Sequence, residues 1–110
     1  MPAKDSFRIT PSIRADSTVY RIDDFPFEGY IVSMTELRPF QNTKGHFHPH
    51  KEFYLFLSGG ILPNTVLLML GDELFEVFEG DAFEIPPNIF HRVYNRTDKP
   101  IKFLCVFKES

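Results

Sequence analysis

Turn-forming residues cut this chain into short apolar runs, and that punctuation limits the fold more than any other feature. Eight runs stand out, at residues 18–22, 30–37, 53–57, 65–70, 73–78, 82–85, 91–95 and 101–107. Several are rich in β-branched and aromatic residues, which suit a pleated, half-buried surface. Between them lie Ser58-Gly59-Gly60, the hairpin-type Gly71-Asp72, Glu79-Gly80-Asp81, Pro86-Pro87 and a turn over 96–100. Nine Pro and six Gly in 110 residues leave no stretch that reads as a long helix. Many short strands joined by regular turns predict an all-β sandwich or barrel. The length suits a single domain with one sizeable core. Thirteen Phe and no Trp predict that aromatic rings fill it. Residues 1–17 are polar and read as a mobile arm, or as an edge strand on a partner subunit. Residues 18–110 make the barrel.

Chemistry concentrates between Gly45 and Gly60. His46 and His48 are two apart, so on a strand both imidazoles face one side. Pro49 removes a ladder donor and predicts a bend. Glu52 opens the next run, so adjacent strands can bring the carboxylate to the His pair. A second histidine segment, 80–95, supplies His91. Cys105 lies between Leu104 and Val106 and reads as a packed core thiol. As the only cysteine it forms no internal disulfide and fits a reducing cytoplasm.

Composition excludes some functions. The net charge is −3 with both signs mixed along the chain, so no basic track for nucleic acid stands out. No apolar run approaches the roughly 20 residues that span a bilayer, and the N-terminus lacks the apolar centre of a signal peptide. A soluble cytoplasmic protein is expected.

The two histidine segments resemble the paired motifs of the cupins, small jelly-roll β-barrels. The first, G-x5-H-x-H-x3,4-E-x6-G, is matched by His46, His48, Glu52 and Gly59, with Phe40 where the leading Gly would stand. The second, G-x5-P-x-G-x2-H-x3-N, is matched by Gly80, Pro86, His91 and Asn95, with Asn88 at the central Gly. Asn tolerates positive φ better than most residues, so the turn geometry can survive there. The resemblance implies a cupin-type jelly-roll barrel in which His46, His48, Glu52 and His91 bind one divalent transition metal per chain. Three imidazoles and a carboxylate suit Fe, Mn, Ni, Zn or Cu, and such a set leaves positions open for water or substrate.

Within the cupins, Lys44-Gly45-His46-Phe47-His48 with Glu52-Phe53-Tyr54 is similar to the cupin-type glucose-6-phosphate isomerases. So are Ile85-Pro86-Pro87, Phe90-His91-Arg92 and Asn95. That likeness implies a metal-dependent aldose–ketose isomerase acting on a sugar phosphate. Glu52 would be ligand and proton-transfer base. Tyr54, of the same parity, is either a substrate hydrogen-bonder or a core aromatic with its hydroxyl at the rim. Lys44 and Arg92 are candidate phosphate partners or solvated charges; Arg92 has the opposite parity to His91. His50 is either a further ligand or an entrance group. Phe56 and Val93 are expected in the cavity wall, and Asn95 as a structural hydrogen-bonder. Two other functions fit the same ligand set: an iron-dependent cupin dioxygenase, and a non-catalytic module that binds a small polar molecule. A homodimer, paired through sheets or arms, is expected from the exposed edges of so small a barrel.

Overall fold

The computed structural model describes residues 8–22 and 29–108. The turn expected over 23–29 and the start of the arm therefore lie largely outside the described residues. The described residues form nine strands and no helix: β1 (Ile9–Ile13), β2 (Ser17–Ile22), β3 (Tyr30–Leu37), β4 (Glu52–Phe56), β5 (Val66–Leu70), β6 (Glu73–Glu76), β7 (Ala82–Ile85), β8 (His91–Asn95) and β9 (Ile101–Lys108). All pairings are antiparallel. One sheet has the order β1-β2-β3-β9-β4-β7 and the other β6-β5-β8. This is a jelly-roll arrangement of two facing sheets: the turn spacing predicts an all-β sandwich or barrel, and the motif resemblance implies its jelly-roll form.

The core lies between the sheets. Leu37, Phe56, Ile101 and Phe103 come from the larger sheet, and Val66, Leu68 and Val93 from the smaller. Burial alternates strictly along β4 and β8, the period-2 signature of a sheet with one face inward. Phe56 packs against Phe103 and Phe83 with ring centroids 5.1 and 5.8 Å apart. The aromatic core is smaller than the Phe count predicts, because Phe40, Phe47, Phe53, Phe78 and Phe90 are exposed.

Residues 9–13 are not a mobile arm. They form β1, which pairs with β2 of the same chain from Ile9↔Ile22 to Ile13↔Thr18. A tight turn joins them, with the Arg14 amide donating to the Ser17 carbonyl at 2.8 Å. Pro11 is tolerated because β1 is an edge strand, where one amide side needs no ladder partner.

The connection from 38 to 51 runs along β8 without becoming a regular strand. Thr43 donates to the Val93 carbonyl at 2.9 Å, and His46 and His91 exchange backbone hydrogen bonds of 3.3 and 2.9 Å. That pairing carries the His46–His48 segment to the mouth of the barrel beside His91. Both non-Gly motif positions adopt left-handed backbone, Phe40 with φ 58° and Asn88 with φ 60°. The Asn88 amide donates to the His48 carbonyl at 2.6 Å, so this turn holds the two motifs together. Asn95 is fully buried and structural. Its amide nitrogen donates to the carbonyls of Leu37, Arg38 and Lys99, and its oxygen accepts from the backbone and hydroxyl of Thr97. No helix among the described residues is long and apolar enough to cross a membrane.

Candidate metal centre

His46, His48, Glu52 and His91 meet at one end of the barrel. Each offers a ligand atom, and all four atoms lie within 4.8 Å of one another. The three imidazoles form a compact triangle, with ring centroids 4.5, 4.4 and 5.2 Å apart. Glu52, the first residue of β4, is 3% exposed, and His91, the first of β8, is 1% exposed.

Neighbouring carbonyls set the tautomers. His46 Nδ1 lies 2.8 Å from the Lys44 carbonyl, and His91 Nδ1 lies 3.0 Å from the Ile89 carbonyl. A carbonyl only accepts, so each Nδ1 carries the hydrogen and each Nε2 keeps its lone pair for a ligand. Burial pushes His48 and His91 below the ordinary imidazole range, although Glu52 opposes this at both. Both rings are therefore neutral near pH 7, as metal ligands must be.

Glu52 is shared unequally. Its Oε2 accepts from the Cys105 thiol at 2.8 Å. Its Oε1 lies 2.6 Å from His48 Nε2 and 3.8 Å from His91 Nε2. The short approach is not aligned as a hydrogen bond, and both Glu52 Oε1 and His91 Nε2 are buried without a hydrogen-bond partner. Leaving such groups dry and unpaired costs several kcal/mol. Nitrogen lone pairs and a carboxylate oxygen converging on one point fit a divalent first-row metal, which would satisfy all of them.

A cavity of about 700 Å3 opens beside the cluster. Its lining includes three of the four ligands, Lys44 and Tyr54, with the hydroxyls of Ser17, Ser33 and Thr35. Tyr54 is buried, and its ring stands 5.8 Å from His91. Burial, then Cys105 and Glu52, raise its phenol well above the usual value, so it stays protonated. Lys44 lines the cavity and also orients His46 through its carbonyl.

Three residues differ from the sequence reading. Arg92 is not in the cavity lining: its Nε donates to the Thr43 carbonyl at 2.9 Å and its guanidinium lies 5.6 Å over the Tyr94 ring. Strand parity explains this, since His91, Val93 and Asn95 occupy the inward positions of β8. Phe56 and Val93 do not line the cavity either, and lie deeper, in the core. Cys105 packs against the core, as the sequence reading expects, and it also faces the cavity. The register of β9 sets it opposite Tyr54 on β4 and Ser33 on β3, on the cavity wall. Burial and Glu52 push the thiol above its usual range, so it is protonated and donates. Ser33, Thr35, Ser17 and Arg14 are cavity residues that sequence reasoning missed. The inward parity of Ser33 and Thr35 on β3 was a local signal, whereas the position of Arg14 depends on the β1–β2 hairpin.

His50 stands outside the four-atom cluster but close to it. Its ring is sandwiched between His48 and Phe107, at 4.9 and 4.1 Å between centroids. Its Nε2 is buried and unpartnered, 3.9 Å from Glu52 Oε1.

The arrangement has relatives. The chain is 32% identical over 103 residues to the uncharacterized protein MJ1618 of Methanocaldococcus jannaschii, covering 89% of this chain and 78% of that one. It is 25% identical to the oxalate decarboxylase of Lactobacillus farciminis in its formate complex, with a TM-score of 0.78, covering 92% of this chain and 31% of that one. The chain thus spans about a third of that decarboxylase. The plu4264 protein of Photorhabdus luminescens shares the fold, with a TM-score of 0.80, 18% identity, and coverage of 100% of this chain and 90% of that one. The Bacillus subtilis oxalate decarboxylase, described with Mn(II) centres, shares the fold at a TM-score of 0.76 and 23% identity, over 90% of this chain and 27% of that one. A cupin domain model matches residues 33–107, which carry both histidine motifs, and the chain belongs to the cupin family.

Proposed function

We propose that this cupin binds one divalent first-row metal per chain through His46, His48, Glu52 and His91, and acts as a metal-dependent enzyme on a small anionic molecule. The observation that carries the reading is the convergence of buried, unpartnered Nε2 and Oε1 atoms beside an open cavity. Four protein ligands leave positions of an octahedral ion open to a substrate oxygen. The bound metal would supply Lewis acidity to that oxygen. Lys44 would offset negative charge on the ligand, and the neutral Tyr54 phenol, in the same cavity lining, would donate to it. The cavity, lined by Lys44, Arg14 and several hydroxyl-bearing residues, suits a small anion, and the formate complex of the L. farciminis relative is consistent with a compact carboxylate. A sugar phosphate would find Lys44, Arg14 and Tyr54 but not Arg92.

The test begins with elemental analysis of tag-free protein before and after chelation and reloading. About one Fe, Mn, Ni or Zn per chain is expected, with a sharp loss in His48→Ala and His91→Ala. Full stoichiometry in both variants would overturn the ligand assignment. Calorimetry of reloaded and metal-free protein against formate, oxalate and a sugar phosphate then separates the substrate classes. A metal-dependent signal with the sugar phosphate alone would replace the carboxylate reading by the isomerase one. A homodimer belongs to the same proposal, supported by exposed Tyr30, Phe53 and Leu55, which cluster on the outer face of the larger sheet. A monomer by light scattering at micromolar concentration would refute it.

A further inference from the structure

Cys105 has no role in the reading so far beyond lining the cavity, yet it touches the one acidic ligand. Its Sγ lies 2.8 Å from Glu52 Oε2. On the other side Ser33 stands directly opposite Cys105 on β3. The result is a polar row from Ser33 through Cys105 to Glu52, ending at the oxygen that faces the imidazoles. Glu52 Oε1 has no hydrogen-bond partner, while Oε2 has the thiol. An ionised carboxylate only accepts, so the thiol is the donor in this contact. A carboxylate with two free oxygens can chelate a metal through both. One whose second oxygen is already engaged presents a single ligand atom.

We infer that Cys105 is a positioning residue: its S–H engages Glu52 Oε2, so that Glu52 offers the metal Oε1 alone and a further coordination position stays open for substrate. The inference rests on the metal reading above. It concerns how many atoms Glu52 supplies, not which residues are ligands. Partners of this kind typically change metal affinity 10- to 100-fold when removed. Cys105 acts through Glu52 and is not itself a ligand.

The test compares Co(II)-loaded wild-type protein with Cys105→Val, which keeps the volume and loses the donor, and Cys105→Ser, which keeps a donor. The readouts are the Co(II) visible spectrum, which reports coordination number, and the Co(II) dissociation constant. Cys105→Val should change the spectrum and shift the dissociation constant by roughly tenfold or more. Cys105→Ser should stay close to wild type in both. Identical spectra and affinities in all three proteins would overturn the inference. So would a Ser variant that behaves like Val, because the effect would then be packing rather than hydrogen bonding.

A second measurement needs no variant. The chain has one cysteine, so its S–H stretch is a single infrared band in a window free of other protein absorption. The band should lie at a hydrogen-bonded frequency in metal-free protein. It should move up on Co(II) loading, as coordination draws electron density from the carboxylate, and should persist. Loss of the band on loading would mean that the thiolate itself ligates the metal, and would overturn the inference. A band at the free-thiol frequency in both states would do the same. If wild-type protein takes up no Co(II), the metal reading falls and this inference with it. If it takes up one per chain and the variants match it, only the role of Cys105 falls.

Discussion

Replacing Asn95 with Ala should be among the most damaging single changes outside the apolar core, and the structure sets its size. Asn95 is 1% exposed. Four of its hydrogen bonds are 3.1 Å or shorter: to the Lys99 carbonyl at 2.8 Å, to the Arg38 carbonyl at 3.1 Å, from the Thr97 amide at 3.0 Å and from the Thr97 hydroxyl at 2.7 Å. A fifth, to the Leu37 carbonyl at 3.3 Å, is too long to count for much. At about 1 kcal/mol net for each of the four, the loss is about 4 kcal/mol. Two of the carbonyls keep another partner, Arg38 through the Gln41 amide and Lys99 through the Thr97 hydroxyl. The penalty for orphaned acceptors is therefore small, and the estimate stays near that sum. For a domain of this size it corresponds to a fall in Tm of roughly 15 °C. The assay is thermal unfolding by circular dichroism on metal-free protein, so that metal affinity does not enter. Asn95→Asp sharpens it. The carboxylate keeps the acceptor but faces three carbonyls without a donor, so this variant should lose further stability as the pH rises and the group ionises. A fall in Tm of less than about 3 °C for Asn95→Ala would refute the hydrogen-bond accounting.

Two further outcomes follow from the same structure. A Cβ on Gly59 would fall 2.6 Å from the Phe78 carbonyl carbon and 2.7 Å from its Cα, whereas one on Gly45 meets only the half-exposed Phe90 ring. Gly59→Ala should thus cost about 1–3 kcal/mol by urea denaturation and Gly45→Ala less, because a ring can swing and backbone cannot; the reverse order would count against the packing described here. Burial lowers the His48 and His91 pKa values, so as the pH falls below about 6.5 the unfolded chain takes up protons before the native state does. Stability of the metal-free protein should therefore rise with pH through that window and then level off. His91→Gln should flatten the rise, and a Tm that falls between about pH 5 and pH 7 would contradict the sign.

Much of the site was legible because its signals are local. The His46–His48 spacing, the Glu that opens the next strand and the left-handed turn at Asn88 depend on a few neighbouring residues and on the two-residue period of a strand. The same parity sets Arg92 on the face opposite His91, although the motif resemblance offers it as a phosphate partner. The role of Asn95 as a structural hydrogen-bonder was also within reach, since an inward polar side chain on a core strand must find partners.

What the chain's own order of residues determined is the strands from β2 to β9, the inward faces of several of them, and the two motifs whose ligands share one interior. Tertiary structure alone decided which strand lies beside which. Pairing β9 with β4 at Tyr54↔Cys105 put the thiol beside Glu52, and folding β1 back on β2 turned an apparent arm into the edge of the larger sheet. It also decided that Phe56 and Val93 pack in the core rather than line the cavity. The physical reason is range. Strand propensity and side-chain parity arise from neighbours one or two residues away. Register between strands about fifty residues apart, such as β4 and β9, is selected by the packing of the whole core, which no local pattern encodes.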